Sequence, residues 1–432
     1  MHLFFKVLKN MVLFSKKIVL SGLLILWAST GFSQTVDLTI QEADSLFLAQ
    51  NIDLLAERCN ISMADAAITQ AKLYHNPVIS IEENIYNRLN HRYFDFGRNS
   101  EQVVNVDQLI SIAGQHSNVV KEAKRGHDVT MAHFEELLRN LRAELHKTFV
   151  RLYFAQRNMK IYQNEIVSLR TTLDQLLVQE KKGNISKIET ARIQALLLSV
   201  RREQNEFLDS VSSLQGRLRL LMSLPSSINI NAVFHSDISA IPDVSECDKL
   251  LTDSLMQRSD VMMARNQAEQ AKASLDVSKS QAWPEVHITG QYDRNAGYFP
   301  NYFAVGVSLS VPLFNRNQGN IRSAKARIAQ CEENYAGAIA KAQNEVAVAK
   351  ENFIRALSLE KSVSDNFDKE NINTLFQSVN ENYRKRNISL IEFVDFYKTY
   401  KEAMLEISTV REKVFLSAED LNMAAGREVV KY

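Results

Sequence analysis

From Phe303 to Asn320 the chain reads FAVGVSLSVPLFNRNQGN. Phe303, Val305, Val307, Leu309 and Val311 alternate with Ala304, Gly306, Ser308 and Ser310. That period of two puts bulky apolar groups on one strand face and small or polar groups on the other, until Pro312 closes the strand. About ten residues patterned this way have the length of a β-strand tilted across a bilayer. An amphipathic strand of a soluble sheet has the same local pattern, so the choice falls to the rest of the chain.

The chain has 432 residues, 45% of them hydrophobic, with 51 Lys+Arg against 50 Asp+Glu. Near-zero net charge offers no electrostatic footprint for nucleic acid, and none is expected as a partner. Only 13 Gly and 6 Pro in so long a chain argue for few and very long elements. Cys59, Cys247 and Cys331 lie far apart in helical patterns, which predicts buried free thiols rather than a disulfide framework or a metal cluster.

Lys6, Lys9, Lys16 and Lys17 precede an apolar run from Ile18 to Trp27, then small and polar residues with a cleavage point between Ser33 and Gln34. This is the layout of a secretory signal peptide over residues 1–33. The run is too short to span about 30 Å of hydrocarbon as a helix. The segment from Met11 is a complete signal by itself, so either methionine serves as the start. Beyond it no apolar helix of about 20 residues occurs, so membrane passage would have to be made by β-strands.

The pattern predicts a helix over Asp37–Asn76, with a capping box at Thr39 and Glu42, ended by Pro77. Strands follow at Val78–Tyr86 and Gln102–Ile110. A proline-free helix then runs from about Ala113 to Lys182, with Leu138, Leu141, Leu145, Phe149, Leu152, Ala155, Met159, Tyr162, Ile166, Leu169, Leu173 and Leu176 forming a coiled-coil seam. Some 70 residues at 1.5 Å each make about 100 Å of helix. After Lys182-Gly183-Asn184 a returning helix, Ser186–Met222, ends at Pro225, and 226–242 reads as a linker.

The same order recurs: helix Asp243–Gln281, strand Val286–Asp293, the Phe303–Val311 strand, helix Asn320–Arg384, a break at Lys385-Arg386-Asn387, and a helix from Ser389 to about Ala425. The second long helix repeats the seam in Ile321, Ala324, Ile328, Cys331, Tyr335, Ala338, Ala342, Ala349, Phe353 and Ala356. By subtraction, Pro77 and Asp53 lie 207 residues before Pro284 and Asp260, and GNISKIE at Gly183 lies 203 before RNISLIE at Arg386. Three matches in order indicate a duplication, with repeats over 34–225 and 243–432.

Each repeat is helix, strand, strand, helix, helix, so all helices fall on one side of any membrane the strands cross. Four strands cannot close a barrel, and an open edge in lipid leaves backbone groups unpaired. Copies must pool strands: two copies supply about eight, three about twelve.

The signal peptide, the duplicated order, NPVISIE at Asn76, SVPLFNRNQGNI at Ser310 and the two GNIS/RNIS turns resemble the TolC-like outer-membrane efflux proteins. SVPLFNRNQG and GQHSNVVKEAK at Gly114 are most similar to the heavy-metal, CzcC/CusC-like branch. The resemblance spans essentially the whole mature chain. It implies a mainly α fold with a β-barrel: a homotrimer whose twelve-stranded barrel sits in outer-membrane lipid, continued by a helical coiled-coil tunnel through the periplasm. It also implies two partners, a periplasmic adaptor and an inner-membrane pump of the RND type. On this reading Phe303, Val305, Val307, Leu309 and Val311 face lipid. Tyr86, Tyr93, Phe94, Phe96, Tyr292, Tyr298, Phe299, Tyr302 and Phe303 would form an aromatic girdle. Strand two carries Asp107 and Gln108 where the fourth strand has Leu309 and Ser310, which predicts a less regular barrel there.

The family's adaptor-docking turn falls here on Gly183, Asn184, Ile185 and Ser186, and again on Arg386, Asn387, Ile388 and Ser389. Arg386 replaces glycine in the second copy, and Ser186 and Ser389 also suit helix N-caps. Acidic residues that ring the closed pore in the family match Glu392 and Asp395, three apart on one helical face. Both also fit a role at the helix N-terminus through its dipole. No catalytic constellation, phosphate loop, cofactor motif or metal-ligand spacing stands out. The expectation is therefore a passive exit duct for heavy-metal cations or drugs, with a type I protein-secretion duct and a secreted coiled-coil scaffold as alternatives.

Overall fold

The computed structural model describes residues 34–88, 91–97, 100–234, 238, 255–296, 299–366 and 369–431. The signal peptide, Cys247, Tyr298, the start of the second-half helix and most of 235–242 in the linker lie outside these residues.

The first half of the chain holds β1 (Gln34–Leu38), α1 (Ile40–Gln50), α2 (Ile52–Ala71), β2 (Val78–Glu83), the short β3 (Tyr86–Asn87) and β4 (Arg92–Tyr93), β5 (Gln102–Ile110), α3 (Gln115–Lys181) and α4 (Lys187–Leu221). Then come β6 (Ile228–Ala232), α5 (Ser259–Ser280), β7 (Glu285–Ala296), β8 (Phe299–Ser310), α6 (Gln318–Asn366), α7 (Lys369–Arg384) and α8 (Leu390–Ala425). No helix among the described residues is long and apolar enough to cross a membrane.

The single helix predicted over Asp37–Asn76 is instead a strand and two helices. Thr39 and Glu42 do form the capping box, at the start of α1. At Asn51 the backbone turns extended, because its side chain accepts from Leu54 N–H and donates to the Leu221 carbonyl at 2.8 Å. The described part of the 226–242 linker is likewise ordered: β6 pairs in parallel with β1, from Gln34 opposite Ile228 to Leu38 opposite Ala232. Of the cysteines, Cys331 is buried as expected, whereas Cys59 is exposed on α2, which buries only Leu54.

β2, β5, β7 and β8 form one antiparallel sheet in that order. β5 pairs without a slip on both sides, so the predicted irregularity at strand two is absent. Asp107 is accommodated by His287 across the sheet, 2.8 Å from its Nδ1, and Gln108 donates to the carbonyls of His75 and Leu109. The helices that feed these strands pack side by side in the same order, α2, α3, α5, α6. Farther from the sheet α3 packs on α4 and α8, and α8 on α6 and α7. At 67 residues α3 is about 100 Å long.

The two seams are the core. Leu145, Phe149, Leu152, Met159, Tyr162 and Leu169 are buried along α3, and Cys331, Ala342, Ala349, Phe353 and Ala356 along α6. Instead of one central core, separate apolar clusters follow each other along the bundle, as helices far longer than a globule is wide require.

Candidate functional site

The predicted tips are the α3–α4 and α7–α8 turns, and their backbone turn and asparagine bonds match, while the serine caps differ. Gly183 and Arg386 occupy the left-handed region, at φ 75° and 62°. Asn184 N–H bonds the Gln179 carbonyl at 3.0 Å and Asn387 N–H the Asn382 carbonyl at 2.8 Å. The same asparagine side chains donate to Gln179 Oε1 and Asn382 Oδ1. Ser186 and Ser389 are N-caps, accepting from Ile188 and Glu392 N–H respectively. Ile185 and Ile388 are half-buried.

The structure brings the two tips together: Arg386 Nη2 donates to the Asn184 carbonyl at 3.1 Å. Behind them Tyr383 stacks on Phe393 with ring centroids 4.2 Å apart. The tip residues other than the isoleucines are solvent-exposed.

Glu392 and Asp395 share an exposed face of α8 but differ in commitment. The Glu392 carboxylate turns back to accept from Ser389 N–H at 2.7 Å, closing a capping box that holds its pKa below the usual carboxylate value. Asp395 has no partner among the described residues.

At the other end, the Phe303 face continues across the whole sheet. Register places Ile79, Ile81, Val104, Val106, Val286, Ile288, Gly290 and Tyr292 on the same side as Phe303, Val305, Val307 and Leu309, with Glu83, Gln102 and Gln108 among its polar members. The opposite side carries Ser80, Glu82, Asn105, Asp107, His287, Thr289, Gln291, Ala304, Gly306, Ser308 and Ser310, together with Val78, Val103, Leu109 and Tyr302, so it is mainly small and polar. Phe303, Val305, Val307, Leu309 and Val311 are all exposed in the single chain, Val305 at 83%. Tyr93, Phe94, Phe96, Phe299, Tyr302 and Phe303 are exposed at or near the hairpin end, and Tyr292 packs on Phe303 at 4.8 Å.

Several charged groups inside the bundle are invisible to a motif reading. Arg258, buried before α5, grips Asp260 and Glu345 and donates to the Ala424 carbonyl at 2.9 Å. Its place in the second repeat is that of Asn51 in the first, which bonds the Leu221 carbonyl in the corresponding position. His146 lies between Asp44 and Glu419, at 3.0 and 3.2 Å. Burial acts to lower its pKa, but the two carboxylates outweigh it and raise it to about 9. Glu165 is buried in the α3 seam region, where Asn158, Glu165 and Thr172 at seven-residue spacing were the available signal. No cluster of three or more His, Cys, Asp or Glu able to hold a metal occurs among the described residues.

A bundle about 100 Å long, crowned by a four-stranded antiparallel sheet, is a fold also found among solved outer-membrane channels. The channel CmeC of Campylobacter jejuni shares it with a TM-score of 0.75 at 16% identity, over 90% of this chain and 86% of that one. CusC, whose crystal structures describe transmembrane channel formation, gives 0.72 at 16% identity, over 91% and 93%. By sequence, the cobalt-zinc-cadmium resistance protein CzcC of Cupriavidus metallidurans is 21% identical over 301 residues, 69% of this chain and 68% of CzcC. Residues 250–427 match the family described as outer membrane efflux protein.

Proposed function

We propose that the chain is one protomer of the outer-membrane exit duct of a tripartite efflux system, reaching from the outer membrane into the periplasm. The observation that carries this is the four-stranded sheet, apolar on one face and polar on the other, mounted on the ordered helix layer. Three copies would supply twelve strands and close both free edges, β2 and β8, removing the unpaired backbone groups that lipid does not tolerate. The polar face would then line a wet lumen and the Phe303–Val311 face would meet lipid. Conduction is passive and the duct does no chemistry of its own.

The exposed tips Gly183–Ser186 and Arg386–Ser389 would dock the periplasmic adaptor, which links the duct to an inner-membrane pump of the RND type. Asp395, exposed and unpartnered among the described residues, would carry the acidic ring of the closed pore, with Glu392 holding the helix start in place. Similarity to CzcC, named for cobalt, zinc and cadmium resistance, points to heavy-metal cations as cargo. The test is gene deletion followed by sensitivity to zinc, cobalt, copper and several drugs, with bilayer conductance of the purified protein. Metal hypersensitivity and a channel support the reading; no conductance overturns it. Asp395→Ala should make the closed pore leakier, and unchanged conductance would remove the gate assignment.

A further inference from the structure

Glu165 lies sixteen residues up α3 from Lys181, by subtraction, or about 24 Å from the tip end of that helix. It is 3% exposed, and its Oε2 has no hydrogen-bond partner. Its charged and titratable neighbours come from three helices: Tyr162 on α3, Glu203 on α4, and Lys401, Tyr397 and Tyr400 on α8. α7 supplies the neutral Asn380, whose Oδ1 accepts from Ser168.

The buried ammonium is already taken, because Lys401 Nζ donates to Glu203 Oε2 at 2.6 Å. Two carboxylates on one ammonium leave an uncompensated negative charge in an apolar setting, which protonation relieves. The flanking stripe is also polar and unsatisfied: Asn158 Oδ1 and Thr172 Oγ1 on α3, and Ser408 Oγ on α8, lack partners. The α3–α8 contact therefore carries buried polar atoms without partners among the described residues along this line.

We propose that Glu165 is a proton-binding site that sets how tightly α8, the helix bearing the second tip and Asp395, packs against α3 and α4. Burial pushes the Glu165 carboxyl up to about 7; Lys401 opposes the rise and Glu203 adds to it. A carboxyl whose pKa rises on packing stabilises the packed form below its ordinary value of 4.5, and that stabilisation is lost as pH rises through about 7. The α8 contact is therefore tight in acid and loosens toward neutral and alkaline pH, with water following the unsatisfied stripe.

Hydrogen exchange of the full-length protein, corrected for intrinsic rates, reads this directly and without reference to transport. Between about pH 5 and about pH 8, protection over 390–410 should fall about tenfold or more in the wild type and stay flat in Glu165→Gln. Glu203→Gln frees Lys401 to pair with Glu165 and should move the transition to lower pH. Infrared spectra give a second readout: a protonated-carboxyl band present at about pH 6, lost at about pH 8 and missing from Glu165→Gln. A wild type with flat protection, a Glu165→Gln variant that keeps the wild-type pH dependence, or an unchanged carboxyl band in that variant would each overturn the proposal.

Discussion

Arg386 in the second helix turn holds the Asn184 carbonyl of the first at 3.1 Å, so the two copies of the duplicated tip are joined by one exposed hydrogen bond. The donor is a residue at φ 62°, where its counterpart is Gly183 at 75°. A left-handed backbone costs an arginine about 1 kcal/mol, and an exposed hydrogen bond returns a similar amount.

Arg386→Gly should therefore leave global stability within about 1 kcal/mol while freeing the tips. Spin labels at Lys182 and Lys385 would report a broader distance distribution in the variant; an unchanged one would mean that the bond does not couple the turns. At the adjoining caps, Ser389→Ala should cost about 1 kcal/mol and Ser186→Ala less, since only Ser389 is part of a capping box. Equal losses in thermal unfolding would contradict that ranking.

Two buried ion networks should bound stability in pH from opposite sides. Burial would raise the Asp260 carboxyl, but Arg258 and Arg139 outweigh it and bring it to about 2. Its contribution is present above 3.8 and is lost as pH falls through about 2. His146, raised to about 9, stabilises fully below 6.5 and its contribution is lost as pH rises through about 9. Denaturant midpoints should fall on both flanks; His146→Gln should remove the part of the alkaline loss centred near pH 9 and leave the acid flank unchanged. Arg258→Met, which leaves Asp260 with Arg139 as its only ion-pair partner among the described residues and removes the donor to the Ala424 carbonyl, should cost about 3 kcal/mol.

The sheet faces give a sharper contrast. Val305→Arg should cost about 2–4 kcal/mol of membrane insertion, whereas Ser308→Arg on the opposite face should insert normally and alter ion selectivity. Flotation with lipid vesicles and bilayer recordings distinguish the two, and equal insertion would exchange or dissolve the face assignment.

Both α3 and α6 seams were legible because a buried helical stripe needs apolar residues every three or four positions, and Leu145 through Leu169 supply them. The tips were legible for a different reason: the left-handed turn and its asparagine are local, and local conformation is written in adjacent residues. The break at Asn51 was not, since its asparagine acts on Leu221, 170 residues away, while the periodicity of α1 and α2 runs on either side. For the same reason local pattern alone makes β1 and β6 look like helix start and linker; each becomes a strand only by pairing with the other.

The Phe303–Val311 stretch shows where the division lies. Its own alternation determined that it is a strand with one apolar face, because side-chain direction in a strand depends only on backbone geometry. The duplication likewise determined that there are two hairpins and that their helices leave on one side. Only the tertiary structure decided that β5 and β7 join the hairpins into one sheet, aligning Ile81, Val104, Tyr292 and Phe303 on a common face. It alone decided that Glu165 is left with an unpaired oxygen while Lys401 serves Glu203. Pairing between distant segments and the charge balance of a buried cluster both depend on residues that meet only when the chain folds.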